Sequence, residues 1–238
     1  MKLLVCVKYS ADPSNTSGAY CTNPFDLFAM EMAARIKDCT GTQIYALTHG
    51  DIPSETALRD CLAAGADRAY RIDDEGDTAR LFARIISEYE QRTEPFSAIF
   101  CGIQSIDGGS RYVGPALAEL LQRPLIPNAI DAWIETDGIH IVQEGAFENC
   151  EWRTSTPCII SVTKPLFAPR YPTIRSRMAA NRASIPLLHS TASQEVRTQA
   201  PSFTYHTLLP KPMCTFLSGT PIAVCTKLIQ LWHQQDIF

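Results

Sequence analysis

The chain has 238 residues, 45% of them hydrophobic and 19% charged, and a net charge of −4. That length supports one large domain or one and a half with a sizeable core, and the acidic balance excludes a nucleic-acid role that rests on bulk positive charge. Nine cysteines are scattered singly with no CxxC pair, which is neither a zinc nor a disulfide pattern, so no metal is expected.

The opening MKLLVCVK has too short an apolar run for a secretory segment and reads as a first strand over Lys2 to Lys8, apolar on both faces as a central parallel strand would be. An odd cysteine count without a signal peptide favours a reducing, cytoplasmic interior. No run approaches membrane-spanning length, so no membrane insertion is expected. Tyr9 to Thr22 is rich in Ser, Asn, Pro and Gly and reads as a loop beyond the carboxyl end of strand one, the edge where open α/β sheets bind ligands.

Asn23-Pro24-Phe25-Asp26 then opens a helix: Asn caps, Pro suits the first turn, and Asp complements the dipole. Apolar positions at helical spacing carry it to Lys37. Gln43 to Thr48 is strand two, ended by His49-Gly50-Asp51, and Ser54 begins a second helix closed by Gly65. Ala66 to Ile72 is strand three, and Thr78 to Glu90 is a helix with Leu81, Phe82, Ile85 and Ile86 on one face. Strand four is Ala98 to Cys101. The alternation implies a parallel sheet with helices on both faces.

Strand four leads through Asp107-Gly108-Gly109-Ser110 into a helix over Val113 to Leu121. Two glycines allow backbone N–H groups to approach a ligand, and Ser110 is a natural N-cap. A helix starting there offers unpaired N–H groups and a positive dipole end to an anion. The stretch has two readings, a phosphate cradle or an ordinary strand-to-helix turn.

Past Leu121 the texture changes. Pro124 to Asp131 is linker-like; Ala132 to Glu135 and Ile139 to Gln143 read as strands paired through a tight turn containing Asp137-Gly138. Cys158 to Thr163 is a buried strand, Lys164 to Tyr171 a Pro-rich loop with two exposed-looking hydrophobes, and Thr173 to Asn181 a short basic helix. From Ser190 onward order falls away until a closing helix over Val224 to His233.

Several of these segments, in this order, resemble the beta subunit of electron-transfer flavoproteins: MKLLVCVK, NPFDLFAMEMAARIKD, ALRDCLAAGADRAYRI, CGIQSIDGGSRYVGPALAELL and TPCIISVTKPLFAPRYPTIRSRMAANRASI. The resemblance runs from Met1 to about Pro186. It implies an adenine-nucleotide alpha-hydrolase-like (Rossmann-like) α/β domain, 1–189, with a C-terminal extension, 190–238, that contacts an alpha subunit. It further implies an electron carrier rather than an enzyme, with AMP held structurally in this chain and FAD held mainly by the alpha subunit, moving electrons from dehydrogenases to an acceptor. Carried onto this sequence, Cys6 lines the nucleotide pocket through its backbone, Asn23 contacts the nucleotide, and Phe25 approaches the flavin. His49 and Gly50 pack near the adenosine, and Asp107, Gly108, Gly109, Ser110, Arg111, Tyr112 and Val113 wrap the phosphate. Within a partner-recognition segment, 164–182, Leu166 is the dehydrogenase anchor beside Phe167 and Arg170.

Each assignment has a plainer competitor: Phe25 as a helix-start core residue, His49 as a loop residue, Leu166 and Phe167 as core caps, Arg170 as a surface ion pair. Two departures from the family stand out. The excursion between strand one and Asn23 is short, which implies a reduced flavin-facing wall, and Gly109 and Tyr112 replace polar residues of the family loop. They motivate an alternative, a diverged nucleotide-binding module without electron transfer. An ATP-hydrolysing or adenylating enzyme is disfavoured, because the chain has no G-x-x-x-x-G-K-[ST] loop, nucleophile elbow or HExxH.

Overall fold

The computed structural model describes residues 1–14, 18–155, 157–190, 214 and 216–234. They form two compact units, Met1–Glu195 and Val196–Phe238. The first runs β1 (Lys2–Val7), β2 (Tyr9–Ala11), β3 (Tyr20–Thr22), α1 (Pro24–Thr40), β4 (Gln43–His49), α2 (Glu55–Ala64), β5 (Arg68–Ile72), α3 (Thr78–Glu90), β6 (Ala98–Gly102) and α4 (Val113–Leu121). It continues with β7 (Leu125–Glu135), β8 (Gly138–Gln143), β9 (Cys150–Thr154), β10 (Cys158–Val162), α5 (Ile174–Arg182) and β11 (Leu187–Leu188). In the second unit the described element is the helix α6 (Pro221–Gln234), which contains the expected closing helix. Of the low-order stretch before it, 191–213 and 215 lie outside the described residues.

One sheet carries the first unit, in the order β11-β5-β4-β1-β6-β10-β7-β8-β9. The pairings from β11 to β7 are parallel, while β7, β8 and β9 pair antiparallel. The expected parallel sheet is thus a mixed one: the hairpin after Leu121 extends the same sheet. Side-chain alternation along β1 sends Leu3, Val5 and Val7 to one core, shared with Ala29, Met32 and Ala33 of α1 and Leu58 and Cys61 of α2. Leu4 and Cys6 go to the other, shared with Leu81, Phe82 and Ile86 of α3 and Leu117 of α4. Both faces are therefore covered, which is why the central strands read as continuous apolar runs.

Three readings change. Tyr9 to Thr22 is not simply a loop, because β2 and β3 pair antiparallel with Tyr9 opposite Thr22 and the Tyr9 and Tyr20 rings 5.6 Å apart. Pro124 to Asp131 is not a linker; it is the first half of β7, disguised by Pro127 and by Asn128, whose φ of 53° is left-handed. The register shifts there, between Ala129 and Asp131, so one long strand pairs first with β10 and then with β8. β9, CEWRT, was not expected at all, since every residue but Thr154 is exposed and no apolar alternation marks it. The β7–β8 turn is tight as expected, with Gly138 at φ 142°, and glycine is required there for a second reason outside the turn: a Cβ would collide with the Thr154 carbonyl of β9.

Candidate functional site

A crevice of about 250 Å³ opens at the carboxyl ends of β1, β4 and β6. The chain runs outward from β1 to β4 and β5, then returns to β6 on the other side of β1. This reversal is the switch point at which doubly wound sheets bind ligands. Its floor is Cys6, Val7 and Cys101; its walls are Asn23 and Asp26 of the α1 start, Asp77, Thr78 and Phe82 of the α3 start, Ile103 to Ser105, and Ser110 to Val113 leading into α4. Parallel strands followed by helices bring the amino ends of α1, α3 and α4 to the same edge. Each contributes N–H groups without intrahelical partners and a partial positive charge.

Asp26 and Asn23 build the wall. The Asp26 carboxylate accepts the Lys8 N–H at 2.8 Å and the Gly102 N–H at 2.9 Å, locking the first turn of α1 between β1 and β6. Burial pushes its carboxyl up to about 7, against the lowering by those N–H groups and by the Lys8 charge. Asn23 occupies the N-cap position without a side-chain cap. Its amide instead donates to the Gln104 carbonyl at 2.9 Å and accepts the Ile106 N–H at 3.3 Å, holding the loop after β6. The cap expected of Asn23 is replaced by this long-range clamp.

Lys8 reaches across the mouth to Asp107 at 2.7 Å. Partial burial raises the Asp107 carboxyl, and hydrogen bonds from Lys8 and Ser105 outweigh it, so the net direction is down. Gly109, at φ 61°, and Arg111, at φ 54°, both take left-handed backbone, which only glycine adopts without cost. Arg111 Nε donates to Gln104 Oε1 at 3.0 Å. Ser110 is exposed and is not the cap expected of it: α4 begins at Val113 with Tyr112 in the N-cap position. The Tyr112 hydroxyl lies 3.3 Å from Asp77 Oδ1. Partial burial, then the Asp77 charge, raises its pKa and keeps it a donor.

Of the residues singled out from sequence, Cys6, Asn23, His49, Ser110, Arg111, Tyr112 and Val113 line the crevice together. Asp107, Gly108 and Gly109 form the loop outside that lining. Gly50 turns away, its N–H donating to the Ile72 carbonyl at 2.8 Å. Phe25 stands half-buried at the α1 start, packed against Gly102. The His49 ring is spoken for on both sides: Nε2 lies 2.9 Å from the Asp74 carbonyl, to which it donates, and Nδ1 lies 2.8 Å from the Thr78 hydroxyl. It offers the crevice an aromatic edge, not a free nitrogen. Burial pushes the Cys101 thiol up to about 12 and the Cys6 thiol in the same direction. Both are neutral floor residues.

Sequence reasoning missed Lys8, Asp77, Thr78, Phe82 and Ile103 to Ser105. A signal existed for two of them. Lys8 directly follows β1, and Asp77 caps α3 by accepting the Arg80 N–H at 3.0 Å, so both sit by rule at the ligand-binding edge.

The segment after β10 separates its three named residues. Leu166 is fully exposed at 101%. Phe167 packs on the core beneath the Arg35 guanidinium, 4.3 Å from its ring, so of the two hydrophobes expected to be exposed only Leu166 is, joined by Tyr171 at the end of the loop. Arg170 forks onto the buried carboxylate of Glu31, at 2.7 and 3.1 Å, and reaches Asp38 at 2.9 Å. Both ion pairs are intramolecular, and the guanidinium keeps about one-third of its surface open to water.

Sheet order, covered faces and a crevice at the switch point define a doubly wound α/β protein. Residues 15–193 match the electron transfer flavoprotein domain, and the chain belongs to that family. It is 34% identical to the electron transfer flavoprotein subunit beta of Megasphaera elsdenii, over 81% of this chain and 79% of that one. It is 31% identical to the subunit of the same name in Bacillus subtilis, over 90% and 86%. Identity to the acryloyl-CoA reductase electron transfer subunit gamma of Anaerotignum propionicum is 32%, over 75% and 73%. No described helix is long and apolar enough to cross a membrane.

Proposed function

We propose that this chain is the beta-type subunit of an electron-transfer flavoprotein, pairing with an FAD-bearing alpha subunit to carry electrons from dehydrogenases to an acceptor, and holding AMP in its own crevice. One observation carries the reading: in a member of this family, Ser110 to Val113 and the amino ends of three helices converge on one crevice at the sheet switch point.

The residues present fit a nucleotide. Cys6, Phe82, Cys101 and Val113 offer apolar surface for a base, while Ser110 to Val113 and the α4 amino end offer N–H groups to a phosphate. The flavin supplies the redox chemistry of the complex; this chain's part is to bind, orient and shield. Leu166, exposed between the buried Pro165 and the packed Phe167, suits docking to a dehydrogenase. The second unit, with the amphipathic helix α6, suits contact with the alpha subunit. The hairpin β2–β3 supplies a folded excursion after β1, which weakens the case for a non-redox module. Nine free thiols support a reducing, cytoplasmic setting.

Co-expression with an alpha-type subunit tests the pairing and the cofactors together. A yellow complex of the two chains is expected, releasing FAD and AMP on denaturation, as identified by mass spectrometry. Two colourless chains that separate on gel filtration would refute the pairing, and a yellow complex without AMP would refute the crevice assignment alone.

A further inference from the structure

We propose that Arg59 of α2, through its bonds to the carboxyl end of α5, is a positioning residue for the face that docks the electron donor. The inference rests on the docking reading of the segment after β10 given above and concerns what holds that segment in place.

The chain leaves the sheet at Val162 and returns to it at Leu187. The loop that follows Val162 is tied to α1 by Arg170, which forks onto Glu31, and by Phe167 beneath Arg35. The helix beyond it has thin apolar packing. Ala180 is the buried residue of α5, while Ile174 and Met178 stand exposed. Nor does α5 close as α1 does, on a left-handed glycine at Gly41. It runs into Ala183, whose backbone is extended, and the last turn of a helix leaves carbonyls without intrahelical donors.

Arg59 meets those carbonyls. Its Nη1 donates to Ala180 at 2.8 Å and to Asn181 at 3.1 Å, and lies 3.4 Å from the Ala183 carbonyl. A cation at this end also suits the helix dipole. The guanidinium is aimed from inside the domain: Nη2 donates to Glu55 Oε2 at 3.1 Å, one turn earlier on α2. The other Glu55 oxygen lies 3.4 Å from Nε of the buried Arg71, which itself donates to the Gly50 carbonyl at 3.0 Å. An Arg–Glu pair at this spacing is common on helices. Here it orients a fork that reaches residues 121 to 124 positions away. Ile174 and Met178 lie on the nine-residue helix so held, and its carboxyl end sets their place relative to Leu166, whose own loop is fixed by Arg170 and Phe167. Loss of Arg59 therefore weakens formation of the donor complex and leaves the transfer step within it alone.

Steady-state electron uptake by the complex with an alpha-type subunit, with a flavin-dependent acyl-CoA dehydrogenase as the varied donor, tests this in the wild type, Arg59→Ala, Glu55→Gln and Leu166→Ala. Arg59→Ala should raise the KM for the donor about tenfold and hold kcat within about threefold, with FAD content and flavin spectrum as in the wild type. Glu55→Gln keeps the guanidinium and removes the charge that orients it, so KM should rise about threefold. If Arg59→Ala does not pair with the alpha-type subunit, Glu55→Gln decides: a raised KM supports the positioning role and a wild-type KM overturns it. An Arg59→Ala complex with wild-type KM, or one in which kcat falls or the flavin spectrum shifts along with KM, would also overturn it. Such a result beside a raised KM in Leu166→Ala would leave the docking reading standing. A wild-type KM in Leu166→Ala, or no reduction of the wild-type complex by this donor, would overturn the docking reading and the inference with it.

Discussion

The Asp26 carboxylate accepts the Gly102 N–H at 2.9 Å, and no side chain can stand between the two residues. A Cβ at position 102 would collide with Asp26 Oδ1 and lie 2.7 Å from Phe25 Cβ and 2.8 Å from the Phe25 backbone carbon. The close approach of α1 to β6 that forms one wall of the crevice therefore requires glycine at the end of β6.

Gly102→Ala should cost about 2 kcal/mol, as overpacking at a rigid contact does. Its neighbours include backbone, which cannot rotate away. Urea denaturation should show the loss as a lower midpoint with an unchanged slope; a midpoint equal to wild type would mean that α1 has room to shift.

Asp26 gives the protein a pH dependence of unusual sign. Its folded pKa, pushed up to about 7 by burial, lies above the unfolded value near 4, so between those limits the folded state holds more protons than the unfolded one. Stability from this group falls as pH rises through that window, by on the order of 2–4 kcal/mol in full. Asp26→Asn removes the titration. The difference in unfolding free energy between wild type and variant should change across pH 4 to 7 by roughly that amount, and a constant difference would show that Asp26 does not titrate there.

Arg170→Ala leaves Glu31, a buried carboxylate at 7% exposure, without its partner. The loss should be about 1–3 kcal/mol, below that of a fully buried pair because the guanidinium is about one-third open to water. Arg170→Lys should recover less than half, since an ammonium cannot reproduce the fork onto Glu31 and Asp38. Full recovery by Lys would make the interaction a point-charge effect.

Leu166 and Phe167 should part company on truncation. Leu166→Ala removes a side chain that touches water, so the thermal midpoint should hold, the change staying within about 0.5 kcal/mol, while the rate of electron uptake from a partner dehydrogenase falls in stopped flow. Phe167→Ala removes a ring from the core edge and from beneath Arg35 and should lose about 2–3 kcal/mol. Equal stability of the two variants would contradict their different burial.

Ser110→Glu places a negative charge where the loop enters α4. Ser110 is exposed, so the sheet should fold as before, while AMP co-purification drops to background. Retained AMP would move the phosphate elsewhere in the crevice.

Two of the amphipathic helices were legible to the residue, and the others within about three. Leu81, Phe82, Ile85 and Ile86 set α3 at Thr78 to Glu90, and α4 runs from Val113 to Leu121 as its spacing implies. The short central strands were legible within a residue or two for the same reason: buried on both faces, they are continuous apolar runs. Strands at the far edge were not. β9 pairs through its backbone and leaves its side chains in water, and the first half of β7 hides a bulge behind Pro127 and Asn128. The site was legible in part. The Gly-rich loop announced itself by composition, whereas Lys8 and Asp77 are ordinary charged residues until the sheet brings them to one edge.

The sequence by itself determined the α/β alternation, the two-faced burial of the central strands and the place where a phosphate loop would lie, because each depends on neighbours a few positions apart. Only the tertiary structure decided the rest. It inserted β10 between β6 and β7, turned Asn23 from a cap into a clamp on Gln104 and Ile106, paired Arg170 with Glu31 and Asp38, and set Tyr112 against Asp77. These are contacts between residues 35 to 139 positions apart, and their partners are selected by strand order and helix packing, which no local pattern of side chains encodes.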